Sequence, residues 1–555
     1  MCGIVGYIGR RLARPILIDG LRRLEYRGYD SSGIGLLEKG RLDIHRAAGR
    51  LSVLEAKLRG FDSTANGGIA HTRWATHGPP TENNAHPHCD CSGRIALAHN
   101  GIIENYSELK RGLVLAGHFF TSETDSEVLA HLIEETLKNQ TILARAVSLA
   151  LARVRGTFGI VVCSADFPDQ IVGACFGSPL VVGVGRQEYF LASDASAILA
   201  FTREVVYLCD GELAAITAES CEITSFDGLI SKPSKIEHLE WSPDSAEKGG
   251  QAHFMLKEIL EQPAAVANSL RGRLDLDAGS AVLGGLKDVR RRLKDISRII
   301  LVGCGSAYYA GLYGKLIIEE LAGIPTEVEI ASEFRYRSPI ISDSTALIAI
   351  SQSGETADTL FAVREAKRRG ALTLGIVNVV GSTIARETDA GVYNHIGPEI
   401  AVASTKGFIS ECAILALIAL SLGRDRNLDI SAGRKFAGEL LKISELISQI
   451  LSTRSAIALL ARNYSEVRGL FFLGRKYGLP VAYEAALKTK EISYIHAEGY
   501  AAGELKHGSI ALIEPSFSSV VLAPKDSLYE KTLSAIEQIK ARGGRVIAVT
   551  TPDGA

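Results

Sequence analysis

Ile299-Ile300-Leu301-Val302-Gly303 and Leu470-Phe471-Phe472-Leu473-Gly474 are two apolar runs that end in glycine, each followed by a small-residue turn and a helical stretch. Short apolar runs alternating with helices are the mark of strands buried on both faces of a parallel sheet. Arg298 to Gly303 is predicted as one strand and Ala346 to Ile350 as a second. A helix follows over Ala357 to Arg369, and Leu374 to Val380 is a third strand. Thr345–Asn378 matches Ser519–Val549 in order: strand, polar loop, helix, an Arg-Gly boundary (Arg369-Gly370 and Arg542-Gly543), strand. Self-similarity of this kind predicts a duplicated α/β doubly wound domain, over residues 286–425 and again over 455–555. The first copy runs on through another strand and a long apolar helix to about Gly423. The second stops at Ala555 just after the matching strand, so by that comparison roughly 40 residues are absent.

Toward the N-terminus the texture changes. Residues 1–240 carry short β-branched runs (Gly159-Ile160-Val161-Val162, Leu180-Val181-Val182-Gly183, Tyr189-Phe190-Leu191-Ala192) between helical stretches such as Ser126 to Leu137. Without a steady βαβα rhythm this predicts α+β layers. Lys232 to Gln251 is polar and contains Pro233, Pro243, Gly249 and Gly250, the composition of an interdomain linker. Residues 241–285 are read as linker and lead-in helix.

Composition narrows the function. The 555 residues are 46% hydrophobic and 22% charged with net charge -2, which gives no basic excess for nucleic acid or an anionic membrane. The longest apolar run, Cys412 to Leu420, is far short of the roughly 18–20 residues of a membrane span and reads as a buried core helix. The start carries no secretory signal. Nine cysteines without framework spacing fit a reducing cytoplasm.

Cys2 directly follows Met1. Removal of Met1 leaves a thiol and a free α-amine of pKa roughly 7.7–8 on one residue, a nucleophile with its own base. On position alone, Cys2 reads first as a small buried hydrophobe. His71-Thr72-Arg73-Trp74-Ala75-Thr76-His77-Gly78 puts a guanidinium, which grips carboxylates through paired donors, beside an indole and imidazoles. Asn100-Gly101 is either a tight hairpin turn or an amide and a backbone N–H set as an oxyanion hole. Asp125, at the start of a helix, is equally a cap. His86-Pro87-His88-Cys89-Asp90-Cys91 offers zinc-type ligands, but no clean second pair follows at zinc spacing, so a loop with incidental cysteines is preferred and no metal is expected.

In the second half, Ser351-Gln352-Ser353-Gly354-Glu355-Thr356 joins a strand to a helix, where backbone N–H groups and hydroxyls attract phosphate. The alternative is ordinary capping by Ser353 or Thr356. Glu484, Lys488 and Glu491 share one helix face by their i, i+4, i+7 spacing. Ala485-Ala486-Leu487 around them suggests burial and shifted ionisation rather than a solvated face. His507 lies in a nearby loop.

Several stretches carry a resemblance. Cys2-Gly3-Ile4-Val5-Gly6, Leu24-Glu25-Tyr26-Arg27-Gly28-Tyr29-Asp30-Ser31, His71–Gly78, Asn84-Ala85-His86-Pro87-His88, His99-Asn100-Gly101-Ile102-Ile103-Glu104-Asn105 and Ser122-Glu123-Thr124-Asp125 resemble the class II glutaminase domain of the glutamine–fructose-6-phosphate aminotransferases. Ser351–Thr356, Val402-Ala403-Ser404-Thr405-Lys406, Glu484–Ile495 and His496–Gly508 resemble the isomerase part of that family. The resemblance spans the chain and implies an αββα N-terminal nucleophile domain followed by two sugar-isomerase (SIS) domains. It implies attack by Cys2 on the glutamine amide, an oxyanion held by Asn100 and Gly101, and substrate contacts from Arg73, Asp125, Thr76, His77 and His86. Trp74 would gate the ammonia passage. Ser306, Ser351, Gln352, Ser353, Thr356 and Ser404 would hold the sugar phosphate. His507 would open the ring, Glu491 would move the proton between C1 and C2, Lys488 would steady the oxyanion and Glu484 would orient the group.

The implied reaction takes L-glutamine and D-fructose 6-phosphate to L-glutamate and D-glucosamine 6-phosphate, the first step of the hexosamine pathway, with no cofactor. The implied setting is a cytoplasmic homodimer. Two departures stand out. The family pattern Cys-Gly-Thr-Ser reads Cys304-Gly305-Ser306-Ala307 here; the lost hydroxyl predicts phosphate binding weaker by about 0.5–1.5 kcal/mol. The family's C-terminal tail, with its Schiff-base lysine, has no counterpart before Ala555. The alternatives are therefore a glutaminase without synthase activity and a non-enzymatic sugar-phosphate regulator.

Overall fold

Gly3–Gly9 is buried along its whole length and lies inside an eight-stranded antiparallel sheet. The strand order is Glu237–His238, Glu204–Tyr207, Val181–Val184, Glu188–Ala192, Gly3–Gly9, Gly67–Arg73, Ser31–Glu38, Arg41–Ala48. The protein is described by a computed structural model covering residues 2–25, 28–227, 236–239 and 248–554. The chain divides into two compact units, Met1–Gly249 and Gly250–Ala555. Most of the predicted linker, including Pro233 and Pro243, lies outside the described residues, as do Tyr26 and Arg27. Glu237 and His238, inside that predicted linker, instead pair with Val205 and Glu204 as the edge of the sheet.

A second, six-stranded antiparallel sheet runs Cys221–Ser225, Glu212–Ile216, Phe167–Phe176, Gly156–Ser164, Ile95–Ile103, His88–Cys89. Ile4, Ile8 and Ile69 of the first sheet meet Val161, Ile171 and Ala214 of the second in one buried cluster. Gly6 lets the sheets approach: a Cβ there would sit 3.0 Å from Val161 Cγ1. The other face of the second sheet packs Leu97 and Ile160 against Leu109, Leu113, Leu132 and Val147 of three helices. The helix Ala13–Leu24 covers the first sheet with Leu17, Leu21 and Leu24, spaced i, i+4, i+7 on one face. Two sheets between two helical layers give the αββα order.

In the second unit, five parallel strands take the order Thr326–Ile330, Arg298–Gly303, Thr345–Ser351, Leu372–Val377, Ala390–Tyr393. Four more take the order His496–Ala501, Gly469–Gly474, Phe517–Leu522, Arg545–Val549. Each copy places its second strand outside its first, so each is doubly wound with the order reversing beside the first strand. The third predicted strand ends at Val377 rather than Val380. Asn378 leaves the ladder because its side chain donates to Gly397 O (2.7 Å) and accepts from Ile396 N (3.1 Å).

The apolar run Cys412–Leu420 belongs to a 19-residue helix, Lys406–Arg424. The expectation of a segment far too short to span is corrected: among the described residues this is the one helix long and apolar enough by length and composition to cross a membrane, but 78% of that stretch is buried inside the unit. It packs against the helices Ser306–Ala322 and Phe254–Leu270, with Ser410 donating or accepting at 2.8 Å from Ser269.

Candidate active sites

In the first unit, Cys2 sits at the head of the Gly3–Gly9 strand, and Trp74 N–H donates to its Sγ at 3.2 Å. A donor on sulfur favours the thiolate, while burial pushes the thiol pKa up. Gly28 makes this contact possible: a Cβ there would lie 2.6 Å from the Trp74 nitrogen. Asn100 Nδ2 donates to Cys2 O at 3.0 Å. The amide orientation is fixed by His71, whose Nε2 lies 3.0 Å from Asn100 Oδ1 and 3.2 Å from His99 O. Full burial pushes the His71 pKa down to about 3, so the ring is neutral. A neutral ring facing two acceptors carries its proton on Nε2 and donates, which leaves the Asn100 NH₂ for the Cys2 side. The His71–Gly78 motif by itself assigns His71 no such role.

Gly101 follows with φ +133, and a Cβ would run into Thr157 O, so glycine is required there. Asn100→Ala is expected to lower kcat for glutamine hydrolysis by about 10²–10³, the usual cost of one oxyanion donor, measured as glutamate release. A loss under threefold would remove Asn100 from that role.

Arg73, at the end of Gly67–Arg73, is buried and donates to His77 O, to Gly78 O (3.3 Å) and to Pro79 O (3.4 Å). Burial lowers its pKa, while the Cys2, Asp125 and Asp30 charges oppose that shift. Asp125 accepts from Ile103 N at 2.8 Å. It is not the helix cap, because the helix Glu127–Leu137 begins after Ser126. Asp30 accepts from Ala75 N at 2.9 Å and so pins the Trp74–Ala75 peptide, a role that sequence motifs alone left open. Trp74 is partly exposed and stands edge-on to Tyr29 at 5.2 Å. Thr76 Oγ1 lies 3.4 Å from His77 Nδ1, and His77 stands edge-on to Tyr106. His86 is stacked beneath His71 at 4.1 Å, and its Nδ1 accepts from His99 N. It supports the His71–Asn100 pair from behind.

In the second unit, the Arg298–Gly303 and Thr345–Ser351 strands are neighbours at the point where strand order reverses, and ligands of doubly wound sheets bind there. The first strand leads through Gly305 (φ +57) into the helix Ser306–Ala322. The second leads through Ser351–Thr356 into Ala357–Arg368. Two helix N-termini thus start at adjacent strand ends, an arrangement that favours negative charge. Ser351 Oγ lies 3.0 Å from Thr356 Oγ1 and accepts from Gly354 N; Ser353 Oγ accepts from Glu355 N. Gln352 O accepts from Asn378 N at 3.1 Å.

Ser306 Oγ donates to Glu484 Oε1 at 2.8 Å and accepts from Lys488 Nζ at 3.0 Å. Lys488 also lies 3.4 Å from Glu484 and 2.7 Å from Glu491. The three residues share one face of the helix Gly478–Ser493, as their spacing predicts. Burial raises the Glu484 pKa, partly offset by Lys488. Ser404 donates to Glu399 at 3.0 Å. The His507 side chain is exposed in the turn Leu505–His507, with no bond among the described residues to Lys488 or Glu491.

Glu258, buried on the Phe254–Leu270 helix, accepts from Ile400 N and Ala401 N. Burial and the Glu399 charge raise its pKa to about 7. A folded-state pKa above the ordinary glutamate value of 4.5 makes Glu258 increasingly destabilising from about pH 4.5 up to about 7, with the penalty constant above that. Glu258→Gln keeps the acceptor, so its stability relative to wild type is expected to improve as pH rises from 5 to 8, read by denaturant unfolding. A pH-independent difference would contradict the assignment.

Residues 71–200 match the Glutamine amidotransferase domain family, and residues 292–421 and 464–554 match the SIS domain family. The chain is 50% identical over 556 aligned residues to a glutamine–fructose-6-phosphate aminotransferase (isomerizing) of Chlorobaculum tepidum, covering 99% of this chain and 90% of that one. It is likewise 50% identical over 552 residues to the protein of that name in Thermus thermophilus, with the same coverage. Among solved structures, the C-terminal domain of glucosamine-fructose-6-phosphate aminotransferase from Francisella tularensis is 40% identical, with a TM-score of 0.54, over 55% of this chain and 86% of that one.

Proposed function

This chain belongs to the glutamine–fructose-6-phosphate aminotransferase (isomerizing) family, and from that premise we propose how its residues divide the work. The enzyme takes the amide nitrogen of L-glutamine to D-fructose 6-phosphate, giving L-glutamate and D-glucosamine 6-phosphate, a step of amino-sugar biosynthesis. With Met1 removed, the α-amine of Cys2 takes the thiol proton and Sγ attacks the side-chain amide carbon. The oxyanion is met by Asn100 Nδ2 and Gly101 N–H. Arg73 grips the α-carboxylate and Asp125 the α-ammonium. Collapse expels ammonia and leaves a glutamyl thioester, which water cleaves to glutamate. Thr76, His77 and His86 complete the pocket, and Trp74 gates ammonia.

In the second unit, Ser306, Ser351, Gln352, Ser353 and Thr356 hold the phosphate at the paired helix N-termini, with Ser404 near the sugar. His507 opens the ring. Ammonia adds at C2, and water leaves. Glu491 carries the proton from C1 to C2, Lys488 steadies the charge that develops, and Glu484 orients Lys488 through Ser306. The domain bounds 1–240, 286–425 and 455–555, a homodimer and a cytoplasmic setting belong to the same proposal.

The observation that carries the reading is the Trp74 N–H on Cys2 Sγ beside an Asn100 amide oriented by neutral His71. It is tested with amide-¹⁵N glutamine in excess unlabelled ammonium. Glucosamine 6-phosphate is expected to keep the label. Label diluted to the level of bulk ammonium would contradict internal transfer.

A further inference from the structure

The glutaminase unit holds a second cluster of chemistry-bearing side chains that shares no residue with the glutamine pocket. Cys91, His118, His131 and Glu134 offer one ligand atom each, all within 4.8 Å of one another. Cys91 Sγ lies 3.6 Å from His118 Nδ1 and 3.5 Å from His131 Nδ1. Glu134 Oε2 lies 3.0 Å from His118 Nδ1 and 3.4 Å from His131 Nδ1. A tetrahedral zinc with Zn–S of about 2.3 Å and Zn–N of about 2.0–2.1 Å has S···N edges of roughly 3.6 Å and N···N or N···O edges of roughly 3.3 Å. The two edges to sulfur (3.5 and 3.6 Å) and the two from the carboxylate to the imidazoles (3.0 and 3.4 Å) lie close to those separations.

The surroundings fit ligands rather than a chance meeting of polar groups. The His118 and His131 side chains are 4% and 1% exposed, and both turn Nδ1 toward the centre. Their outer nitrogens face carboxylates: His118 Nε2 lies 3.0 Å from Glu135, and His131 Nε2 lies 3.7 Å from Glu127. The hydrogen bond from His118 Nε2 to Glu135 fixes the tautomer that frees the inner nitrogen for a metal, and Glu127 stands at ion-pair distance behind His131. Cys91 is placed by Asp90, whose carboxylate accepts from Ile95 N at 2.7 Å and from Ser92, closing the turn after His88–Cys89. Apart from Cys91, the residues of the His86–Cys91 stretch are elsewhere: His86 and His88 stack edge-on to each other, and Cys89 lies 3.7 Å from Arg46. The partners of Cys91 come from 27, 40 and 43 residues further along the chain, which explains why local spacing reveals no second pair.

We propose that Cys91, His118, His131 and Glu134 form a closed, structural Zn²⁺ site. One thiolate, two neutral imidazoles and one carboxylate balance the ion's charge, and sulfur with nitrogen selects zinc over magnesium or calcium. On binding, the Cys91 thiol proton passes to solvent and a Zn–S bond forms, with no change of oxidation state. Four protein ligands leave no open position, so the ion does no chemistry. It clamps the helix Glu127–Leu137 to the His88–Cys89 hairpin. Glu127 carries that constraint onward, because it also accepts from Thr121 N (2.8 Å) and Ser122 N (2.7 Å) in the loop leading to Asp125.

The test is made on the purified full chain and reads metal, not activity, so it stands apart from the proposed reaction. Elemental analysis is expected to find close to one zinc per chain. After chelation, Co²⁺ titration is expected to give one equivalent with the absorption of a four-coordinate site and a thiolate-to-cobalt charge-transfer band. Cys91→Ser is expected to remove the charge-transfer band, and Cys89→Ser to leave it intact. His118→Gln, judged folded by circular dichroism, is expected to lower metal content at least tenfold. A wild-type chain that takes up neither Zn²⁺ nor Co²⁺ stoichiometrically would overturn the site and leave a metal-free imidazole–carboxylate network. So would Co²⁺ spectra unchanged by Cys91→Ser.

Discussion

Cys2→Ala is expected to abolish glutamine hydrolysis, lowering kcat by about 10⁴ or more, while the isomerase unit keeps converting fructose 6-phosphate. The size follows from what one residue supplies. In the proposed mechanism Sγ is the nucleophile and the α-amine its base, and the Trp74 N–H at 3.2 Å from the sulfur would stabilise it as it ionises. Alanine keeps the amine and the fold, since the Gly3–Gly9 strand is held by its neighbours on both sides. Glutamate release reads the first activity, and aldose phosphate formation reads the second. Residual glutaminase above about a hundredth of wild type would place the nucleophile elsewhere. Loss of both activities would show that the substitution had unfolded the chain rather than removed a reacting group.

Lys488→Ala is expected to lower isomerase turnover by about 10²–10⁴ and leave glutamine hydrolysis unchanged. Lys488 bonds Ser306 Oγ and lies within ion-pair distance of Glu484 and Glu491. Without it, Glu484 loses the cation that opposes the burial-driven rise in its pKa. The residual activity should therefore show its acid limb at higher pH than wild type. A variant with normal turnover would remove Lys488 from the reacting group. Normal pH dependence with reduced turnover would assign it to oxyanion stabilisation alone.

The doubly wound copies were legible because their strands are local and uninterrupted. Arg298–Gly303 ends where its apolar run ends. Val377 did not, because Asn378 is drawn out of the ladder by partners at Ile396 and Gly397, which no window around it contains. Of the proposed glutaminase pocket, the sequence singles out the residues whose type carries chemistry: Cys2, Arg73, Asn100, Gly101 and Asp125. The pocket was opaque where a residue acts through another. His71 reads as one more position on a buried strand, and its role appears only when Gly67–Arg73 stands over Asn100 from the facing sheet. Asp30 and Gly28 act on the Trp74 peptide some 45 residues away for the same reason. The Cys91 cluster is the extreme case, with ligands from a hairpin turn, a loop and a helix.

The central claim, one chain that couples glutamine hydrolysis to amino-sugar synthesis, is tested most directly by one mass balance. The purified chain, with Met1 removal verified, is given glutamine and fructose 6-phosphate, and glutamate and glucosamine 6-phosphate are quantified together. The account predicts both products in equal amounts, dependent on Cys2. Glutamate without amino sugar, or neither product from folded protein, would contradict it.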